Sequence, residues 1–287
     1  MSPPHMRQLL ATLSHGFTIT NTKFKHVKLR ELDGFDEQFL ENTKNDLPIF
    51  LQTTELLKRV VLFEQVIDDS EKEKIFKNLS VGDRITLLLN LRKLTFGNTV
   101  LCIARCPLCK KQISLDISIN DLLKSTYVQN EKFVESINAK NFTLKIRPLV
   151  LSDQQMILSS VATSDRIDHA EQLVRLCITS SVPSLPDEKL PEHIVDVVSS
   201  KLREIDPMAD LTLDMSCPNC NQNVKISFDA EEFLLQEIHL RSRSLEEEIH
   251  WLAFHYHWKE HYILSLSIQK RQRYVELINK TLGESTT

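Results

Sequence analysis

The four-residue pattern Cys-Pro-x-Cys occurs twice in this chain, as CPLC at residues 106–109 and as CPNC at residues 217–220. In such a knuckle, a turn between two strands directs both sulfur atoms to one side, where the thiolates can supply half of a tetrahedral metal site. Zinc ribbons usually separate their two cysteine pairs by roughly 15–20 residues, whereas more than a hundred residues separate these two. Spacing alone therefore leaves open whether the two pairs form one site.

The chain also repeats itself around the knuckles. VKLRELDGFDEQFL at residues 27–40 aligns with LKIRPLVLSDQQMI at 144–157, and LLKRVV at 56–61 aligns with LVRLCI at 173–178, both with an offset of 117 residues. At the knuckles the offset is 111, and the alternating apolar residues that follow each one predict a return strand and then a short helix. Three blocks in the same order indicate a tandem duplication, although short apolar patterns also recur by chance in unrelated helical proteins.

We therefore predict an α+β fold: a tandem pseudo-twofold repeat of helices plus a strand–knuckle–strand unit, joined by a zinc-ribbon-like centre and followed by a C-terminal helical tail. Helices are expected to open at Asp36 and at Ser152 and Asp153, where acidic side chains suit a helix N-terminus. The N-terminal extension is a candidate for disorder. The predicted divisions are the extension at 1–25, the first repeat at 26–125, a linker at 126–142, the second repeat at 143–238 and the tail at 239–287.

The duplication sorts the six cysteines. Four fall at equivalent positions and are the predicted ligands of one structural Zn²⁺, since four thiolates leave no coordination position for water or substrate; these are Cys106, Cys109, Cys217 and Cys220. Cys102 and Cys177 have no cysteine counterpart and are interpreted as small buried apolar residues. Two separate sites that recruit histidines, or reduced or disulfide-linked thiols, remain the alternatives.

Residues 244–282 carry apolar residues at helical spacing, which predicts two or three short helices with a break near His257 and Trp258. Four histidines in this tail either form half of a metal site or pack against its aromatic residues, and the lack of an HExxH pattern favours packing. A basic run in the last helix is interpreted as a solvated face rather than a phosphate-binding patch. The residues concerned are His250, His255, His257 and His261, and Lys270, Arg271 and Arg273.

Composition excludes several classes of function. With 287 residues, 41% of them hydrophobic, the chain can build a substantial core, and it has neither a run of about 20 apolar residues nor a secretion signal, so an intracellular protein is expected. A formal net charge of −4 argues against a nucleic-acid-binding surface. Five glycines cannot build the usual nucleotide-binding loops, and no GxSxG motif is present, so no enzyme activity is expected.

Four stretches taken together resemble the baseplate hub assembly proteins of T-even-type contractile-tail phages, a family with relatives in phage-tail-like extracellular contractile injection systems. The stretches are LRELDGFDEQFL, VGDRITLLLNLRKLTFGNTVLCIARCPLC, REIDPMADLTLDMSCPNCNQNVKISFDAEEFL and EEIHWLAFHYHWKEHYILSLSIQKRQRYVELI, and the resemblance runs from about residue 29 to residue 278. The chain departs from its relatives at His257, where they often have glycine.

The resemblance implies a non-enzymatic baseplate component or assembly chaperone. Its implied partners are other baseplate, hub or tail-tube proteins, with no nucleic acid, membrane span or small-molecule substrate, and its implied location is the bacterial host cytoplasm during assembly. The family does not always keep both cysteine pairs. A zinc-ribbon module that binds nucleic acid, or a general protein-interaction module, is the alternative function.

Overall fold

The computed structural model describes residues 6–19, 22–125, 133–161 and 169–283. Over these residues the chain is a mixed fold of α-helices and small antiparallel sheets, so the mixed helix-and-strand class predicted from the sequence is confirmed. Residues 1–5 of the predicted extension and residues 126–132 of the predicted linker lie outside the described residues.

The first half of the chain contains a long hairpin, four helices, a knuckle hairpin and a short helix. In order, these are β1 (Gln8–Ile19), β2 (Thr22–Arg30), α1 (Gly34–Thr43), α2 (Ile49–Val60), β3 (Val61–Leu62), α3 (Asp69–Asn78), α4 (Val81–Phe96), β4 (Thr99–Arg105), β5 (Gln112–Ser118) and α5 (Ile119–Ser125). The strands β1, β2 and β3 form one antiparallel sheet in that order, and β4 pairs with β5.

The second half follows a similar order. It contains β6 (Glu135–Ala139), β7 (Phe142–Ile146), α6 (Leu151–Val161), α7 (His169–Cys177), β8 (Ile178–Val182), α8 (Glu192–Ile205), a 3₁₀ turn at Pro207–Ala209, β9 (Thr212–Ser216), β10 (Asn223–Ser227) and α9 (Ala230–Ser242). The strands β6, β7 and β8 again form an antiparallel sheet, and β9 pairs with β10. The tail contains α10 (Leu245–Tyr256), α11 (Glu260–Leu264) and α12 (Ile268–Leu282).

The same arginine–aspartate pair opens the first helix of each half. Arg30 binds Asp36 through two hydrogen bonds of 2.6 and 3.0 Å, and Arg147 binds Asp153 through two of 2.6 and 2.9 Å. Each aspartate also accepts a backbone N–H three residues earlier in the chain. The acidic residues that the sequence places in these first turns therefore stabilise the helix start and bind the arginine at the end of the preceding strand.

The expected disorder of the N-terminal extension is wrong for residues 8–19. These residues form β1, which pairs with β2 and buries Ala11 and Leu13 in the main core. Strand β6 similarly occupies part of the segment assigned to the linker, where it pairs with β7. Both strands were missed because their partners in the ladder, rather than their own periodicity, stabilise them.

Helix α4 lies in the centre of the main core. Almost all of its residues are buried, including the consecutive leucines Leu87, Leu88 and Leu89. Ser80 caps its start by accepting the Asp83 backbone N–H, and the chain leaves the helix at Gly97, whose φ of 96° suits glycine. A helix buried on all sides needs protein partners for its polar ends, because water cannot reach them.

The N-terminus of α4 lies where the two halves of the chain meet. Asp83 accepts backbone N–H groups of the first strand, from Ser14 at 2.7 Å and Gly16 at 2.7 Å. Asp206, which follows α8, accepts the Gly82 backbone N–H at 3.0 Å. A Cβ atom at Gly82 would lie only 1.9 Å from an Asp206 oxygen, so glycine is required for this approach.

The same junction holds a buried histidine. The His15 ring nitrogen Nε2 lies 3.0 Å from the Ile205 carbonyl oxygen and 3.8 Å from Asp206. Burial lowers the pKa of His15 to about 4, raises the pKa of Asp83 to about 6 and raises the pKa of Asp206 to about 7. The Asp83 charge adds to the shift at Asp206. Between about pH 4 and pH 7 the junction therefore favours a neutral histidine and a protonated Asp206.

We predict that Asp206→Asn makes stability less dependent on pH. Asp206 stabilises the folded state fully at pH values below its pKa in the unfolded chain, 3.8. This stabilisation is lost as the pH rises toward its pKa in the folded protein, about 7. From about pH 4.5 to about pH 7, the free energy of unfolding of the wild type should therefore fall relative to that of the variant by about 1 kcal/mol per pH unit. Urea titrations at several pH values measure this.

Asp210→Asn is the matched control. It makes the same substitution four residues further along the chain, at a half-exposed carboxylate that pairs with Arg203. Its stability should follow that of the wild type with pH. Parallel curves for the wild type and Asp206→Asn would contradict the prediction.

A buried arginine joins the tail to the first half. Arg271 of α12 is fully buried and binds Glu37 of α1, Glu248 of α10 at 2.9 Å and the Leu266 carbonyl oxygen at 3.0 Å. Burial raises the pKa of Glu37 to about 7, and the Arg271 charge opposes this shift. The solvated basic face predicted for the last helix is therefore wrong for Arg271, whereas Arg273 is exposed. Removal of one partner would leave an unpaired buried charge.

The predicted break in the tail is confirmed at His257. This residue ends α10 in the left-handed conformation, with φ at 55°, and its backbone N–H donates to the Ala253 carbonyl oxygen at 3.0 Å. Left-handed residues after a helix are most often glycine, because a Cβ atom is strained there. Histidine at this position therefore adds local strain, and the turn forms nonetheless.

We predict that His257→Gly keeps or slightly raises stability and that His257→Val lowers it. A β-branched side chain at positive φ should cost about 1–2 kcal/mol of unfolding free energy, and the exposed His257 ring contributes little packing that glycine would lose. Urea denaturation of both variants measures the difference. A valine variant as stable as the glycine variant would show that the residue is not left-handed in solution.

Candidate metal centre

The first knuckle is a tight turn between β4 and β5. The Cys106 backbone N–H donates to the Lys111 carbonyl oxygen at 2.9 Å, and the Lys110 N–H donates back to the Cys106 carbonyl at 3.0 Å. Lys110 has φ at 62°, which reverses the chain directly after the second cysteine. The turn directs both sulfur atoms toward the second half of the chain.

The second knuckle repeats this geometry between β9 and β10. The Cys217 N–H donates to the Gln222 carbonyl oxygen at 2.9 Å, and the Asn221 N–H donates to the Cys217 carbonyl at 2.8 Å. Asn221 has φ at 55°, which asparagine tolerates better than most residues. Asn219 also donates its side-chain N–H to the Gln112 carbonyl oxygen across the two knuckles, at 3.3 Å.

The two knuckles bring four sulfur atoms together. All four Sγ atoms lie within 4.8 Å of one another, with Cys106 and Cys220 3.9 Å apart and Cys109 and Cys217 3.8 Å apart. Zinc–sulfur bonds of about 2.3 Å in a regular tetrahedron imply sulfur–sulfur separations of about 3.8 Å. The cysteines are not joined as disulfides. Their arrangement is compatible with a bound metal ion.

Backbone donors shape the charge of this cluster. The Cys109 and Asn219 N–H groups point at the Cys106 and Cys217 sulfur atoms, each at 3.4 Å. The Cys109 N–H lowers the pKa of the Cys106 thiol to about 6. At Cys220 the Gln222 N–H also acts to lower the pKa, but burial and the three neighbouring thiols outweigh it and raise the pKa to about 11. Four adjacent thiols cannot all ionise without a cation among them.

The other two cysteines lie apart from the cluster. Cys177 is buried at the end of α7, and burial raises the pKa of its thiol to about 12. Cys102 lies half-buried against the main core, where burial also raises its thiol pKa. Both therefore pack as small apolar side chains, in agreement with the prediction.

Three of the four tail histidines pack against aromatic rings. His255 stacks on Trp251 with ring centroids 5.1 Å apart, and His261 contacts Phe35 of the first half at 5.1 Å. Within residues 6–19, 22–125, 133–161 and 169–283, the four cysteines are the one group of histidine, cysteine or acidic side chains arranged to hold a metal ion. Ring packing, rather than half of a metal site, therefore describes His250, His255 and His261, whereas His257 is exposed.

Several residues that support the centre were missed from the sequence. Lys110 and Asn221 set the chain reversal, and Asn219 bridges the knuckles. All three residues flank the second cysteine of a pair, and this position in the sequence could have indicated their role.

None of the helices in the described part of the chain is long and apolar enough to cross a bilayer.

Comparison with known families finds a match within the first half of the chain. Residues 37–152, which are 116 of the 287 residues, match the family model described as T4 bacteriophage base plate protein. The match runs from α1 to the start of α6 and includes Cys106 and Cys109 but not Cys217 and Cys220. It supports a phage baseplate protein family and confirms the resemblance recognised from the sequence over these residues. No curated protein and no solved structure matches the chain significantly.

Proposed function

We propose that this chain is a non-enzymatic hub component or assembly chaperone of a contractile-tail baseplate, from a phage or a phage-tail-like injection system. The baseplate family match over residues 37–152 carries this proposal. A baseplate family suggests a structural role, and protein partners in a tail follow from it. The proposed partners are other baseplate, hub or tail-tube proteins, met in the host cytoplasm during assembly.

The proposed metal is one structural Zn²⁺ bound by Cys106, Cys109, Cys217 and Cys220. Two of the six sulfur separations, at 3.8 and 3.9 Å, suit tetrahedral zinc and support it, and all four sulfur atoms lie within 4.8 Å of one another. With four thiolate ligands the ion would have no open position, so it would link the two halves of the chain and take no part in catalysis. Cys217 and Cys220 lie outside the residues that match the family model, so the proposed link between the halves concerns this chain and is tested below.

We also propose that the two halves arose by tandem duplication. The similar order of elements, the matching Arg30–Asp36 and Arg147–Asp153 pairs and the two knuckle turns support this. Under this proposal the first repeat begins with the β1–β2 hairpin and the second with β6–β7, so both start earlier than the divisions at residues 26 and 143.

A zinc-ribbon module that binds nucleic acid is the second candidate. Arg105, Lys110 and Lys111 surround the first knuckle and favour it, but the second knuckle has Asn219, Asn221 and Gln222 in the nearby positions. Binding to phosphates would weaken steeply with added salt. The proposed baseplate role predicts no such binding by the purified protein.

We predict that Cys217→Ser removes the metal. Elemental analysis should find about one zinc ion per wild-type chain and almost none in the variant, because three thiolates and a hydroxyl form a poorer zinc site. Loss of the ion should lower the free energy of unfolding by about 4 kcal/mol at a free zinc concentration a thousandfold above Kd. A strong chelator should lower the melting temperature of the wild type and leave that of the variant unchanged.

Cys102→Ser is the matched control, because it makes the same substitution at a half-buried cysteine outside the cluster. It should keep its zinc and its response to chelator. A wild-type protein that contains no zinc after expression in zinc-supplemented medium, or that melts identically after complete metal removal, would contradict the structural metal.

The baseplate role is tested by affinity purification of the full chain from cells that produce the tail. We expect hub, tail-tube or wedge proteins in the eluate, and we expect cells without this chain to lack complete baseplates in electron micrographs. Mass spectrometry of purified particles then separates a permanent component from a chaperone. Normal baseplates without the chain, together with an eluate free of tail proteins, would overturn the proposal.

A further inference from the structure

The β4–β5 hairpin exposes apolar side chains on the side that faces away from the core. Leu101 and Ile103 of β4 are 74% and 70% exposed, and Leu108 in the knuckle turn is 60% exposed. The alternate residues Val100 and Cys102 face the core. Antiparallel strands with one solvated face normally alternate apolar and polar residues, so an apolar outer face requires an explanation.

The β9–β10 hairpin provides an internal comparison. Counted from the first cysteine of each knuckle, Leu101 corresponds to Thr212 and Ile103 to Asp214, and Asp214 lies 3.8 Å from Lys225 of the neighbouring strand. Both hairpins carry the same knuckle turn and both contribute two sulfur atoms to the cluster. The knuckle therefore does not require apolar residues on the outer face of its hairpin. The exposed apolar residues of β4 have another cause.

Positive charges lie at the knuckle end of this face, and Asp116 of β5 lies opposite Leu101 at its other end. Arg105, Lys110 and Lys111 are all exposed, and none of them forms an ion pair with another residue in the described part of the chain. The corresponding residues of the second knuckle are Ser216, Asn221 and Gln222, which are neutral. Three unpaired cations beside an apolar surface favour a ligand that has both apolar groups and negative charges.

The charges also discriminate among occupants. A second copy bound through a twofold axis would place the same cations against each other, at the cost of like-charge repulsion. Nucleic acid would meet Leu101 and Ile103, which lack the aromatic rings on which bases stack. An apolar protein segment that bears carboxylates fits both parts of the surface.

We propose that the β4–β5 outer face, defined as Leu101, Ile103 and Leu108 with Arg105, Lys110 and Lys111, binds a partner protein through an apolar segment that carries Asp or Glu. That this partner is a baseplate protein rests on the function proposed above. The proposal that this surface binds a partner is based on the difference between the outer faces of the two hairpins. Apolar burial would supply affinity, and the cations would orient the acidic segment and speed its association.

Site-specific photocrosslinking tests this surface in the full chain. A photoreactive phenylalanine analogue at position 103 is compared with the same analogue at position 214, and the crosslinked residues are identified by mass spectrometry in tail-producing cells. We expect position 103 to crosslink at least about tenfold more than position 214, to an apolar segment flanked by Asp or Glu in one identified protein. Crosslinks to a second copy of the chain, to nucleic acid, equally from both positions or from neither would overturn the proposal.

Two double variants, compared by copurification, then measure how much the apolar residues and the lysines of the face each contribute to binding. Leu101→Thr with Ile103→Asp introduces the residues of the second hairpin and should reduce recovery of the crosslinked protein about tenfold or more. Lys110→Asn with Lys111→Gln should weaken recovery at low salt and reduce its salt dependence. Leu240→Thr, at a leucine of α9 that is 64% exposed, is the control and should change nothing.

Zinc content and melting temperature establish that each variant is folded. If the Leu101→Thr, Ile103→Asp variant still recovers tail proteins as the wild type does, the proposed binding role of the β4–β5 outer face is contradicted. The proposed baseplate function would be unaffected by that result. A specific crosslink to an acidic, apolar segment of a protein unrelated to tails would support the surface and contradict the baseplate role.

Discussion

A helix that is buried on all sides must have the polar groups at its ends hydrogen-bonded by other parts of the protein, and α4 is such a helix. At its start, Gly82 donates to Asp206 from the second half, while Asp83 binds the backbone of β1. Near its end, Arg92 donates to the carbonyl oxygens of Gly97 and Thr99 at 2.5 and 2.7 Å and binds Glu237 of α9 through two hydrogen bonds. The burial of one helix thereby constrains the first strand, the end of α8, the start of β4 and the helix that follows the second knuckle.

This constraint places the cysteine pairs. The Arg92 bonds hold the start of β4 against the end of α4, and they tie the same point to α9, which leads out of the β9–β10 hairpin. The hairpins then present their turns to each other, and apolar residues of both, such as Ile113 and Val224, belong to the same core. Packing of ordinary side chains therefore brings Cys106, Cys109, Cys217 and Cys220 together, and a metal ion would strengthen an arrangement that the core already favours.

Identical local patterns acquire different surroundings in the two halves. Both knuckles make the same turn, yet one hairpin has an apolar and cationic outer face while the other has a polar face with its own ion pair. The first helices likewise share an arginine–aspartate pair, but only α1 carries Glu37 against the buried Arg271 of the tail. In a protein that functions through surfaces, such differences between similar units distinguish the parts that maintain the fold from the parts available to partners.

The local features could be predicted from the sequence: the knuckle turns, the acidic first turns that contain Asp36 and Asp153, the break at His257 and the separation of the four clustered cysteines from Cys102 and Cys177. These follow from short-range chemistry, since turn residues, caps and cysteine spacing act within a few positions of the chain. The folded structure was needed to show that β1 is an ordered strand, that Arg271 is a buried ion-pair partner rather than part of a solvated face, and that His15, Asp83 and Asp206 share one junction. Burial and pairing across 69 to 234 residues of sequence depend on how the whole chain packs, and no local pattern encodes the low-dielectric surroundings that shift the pKa values of these groups.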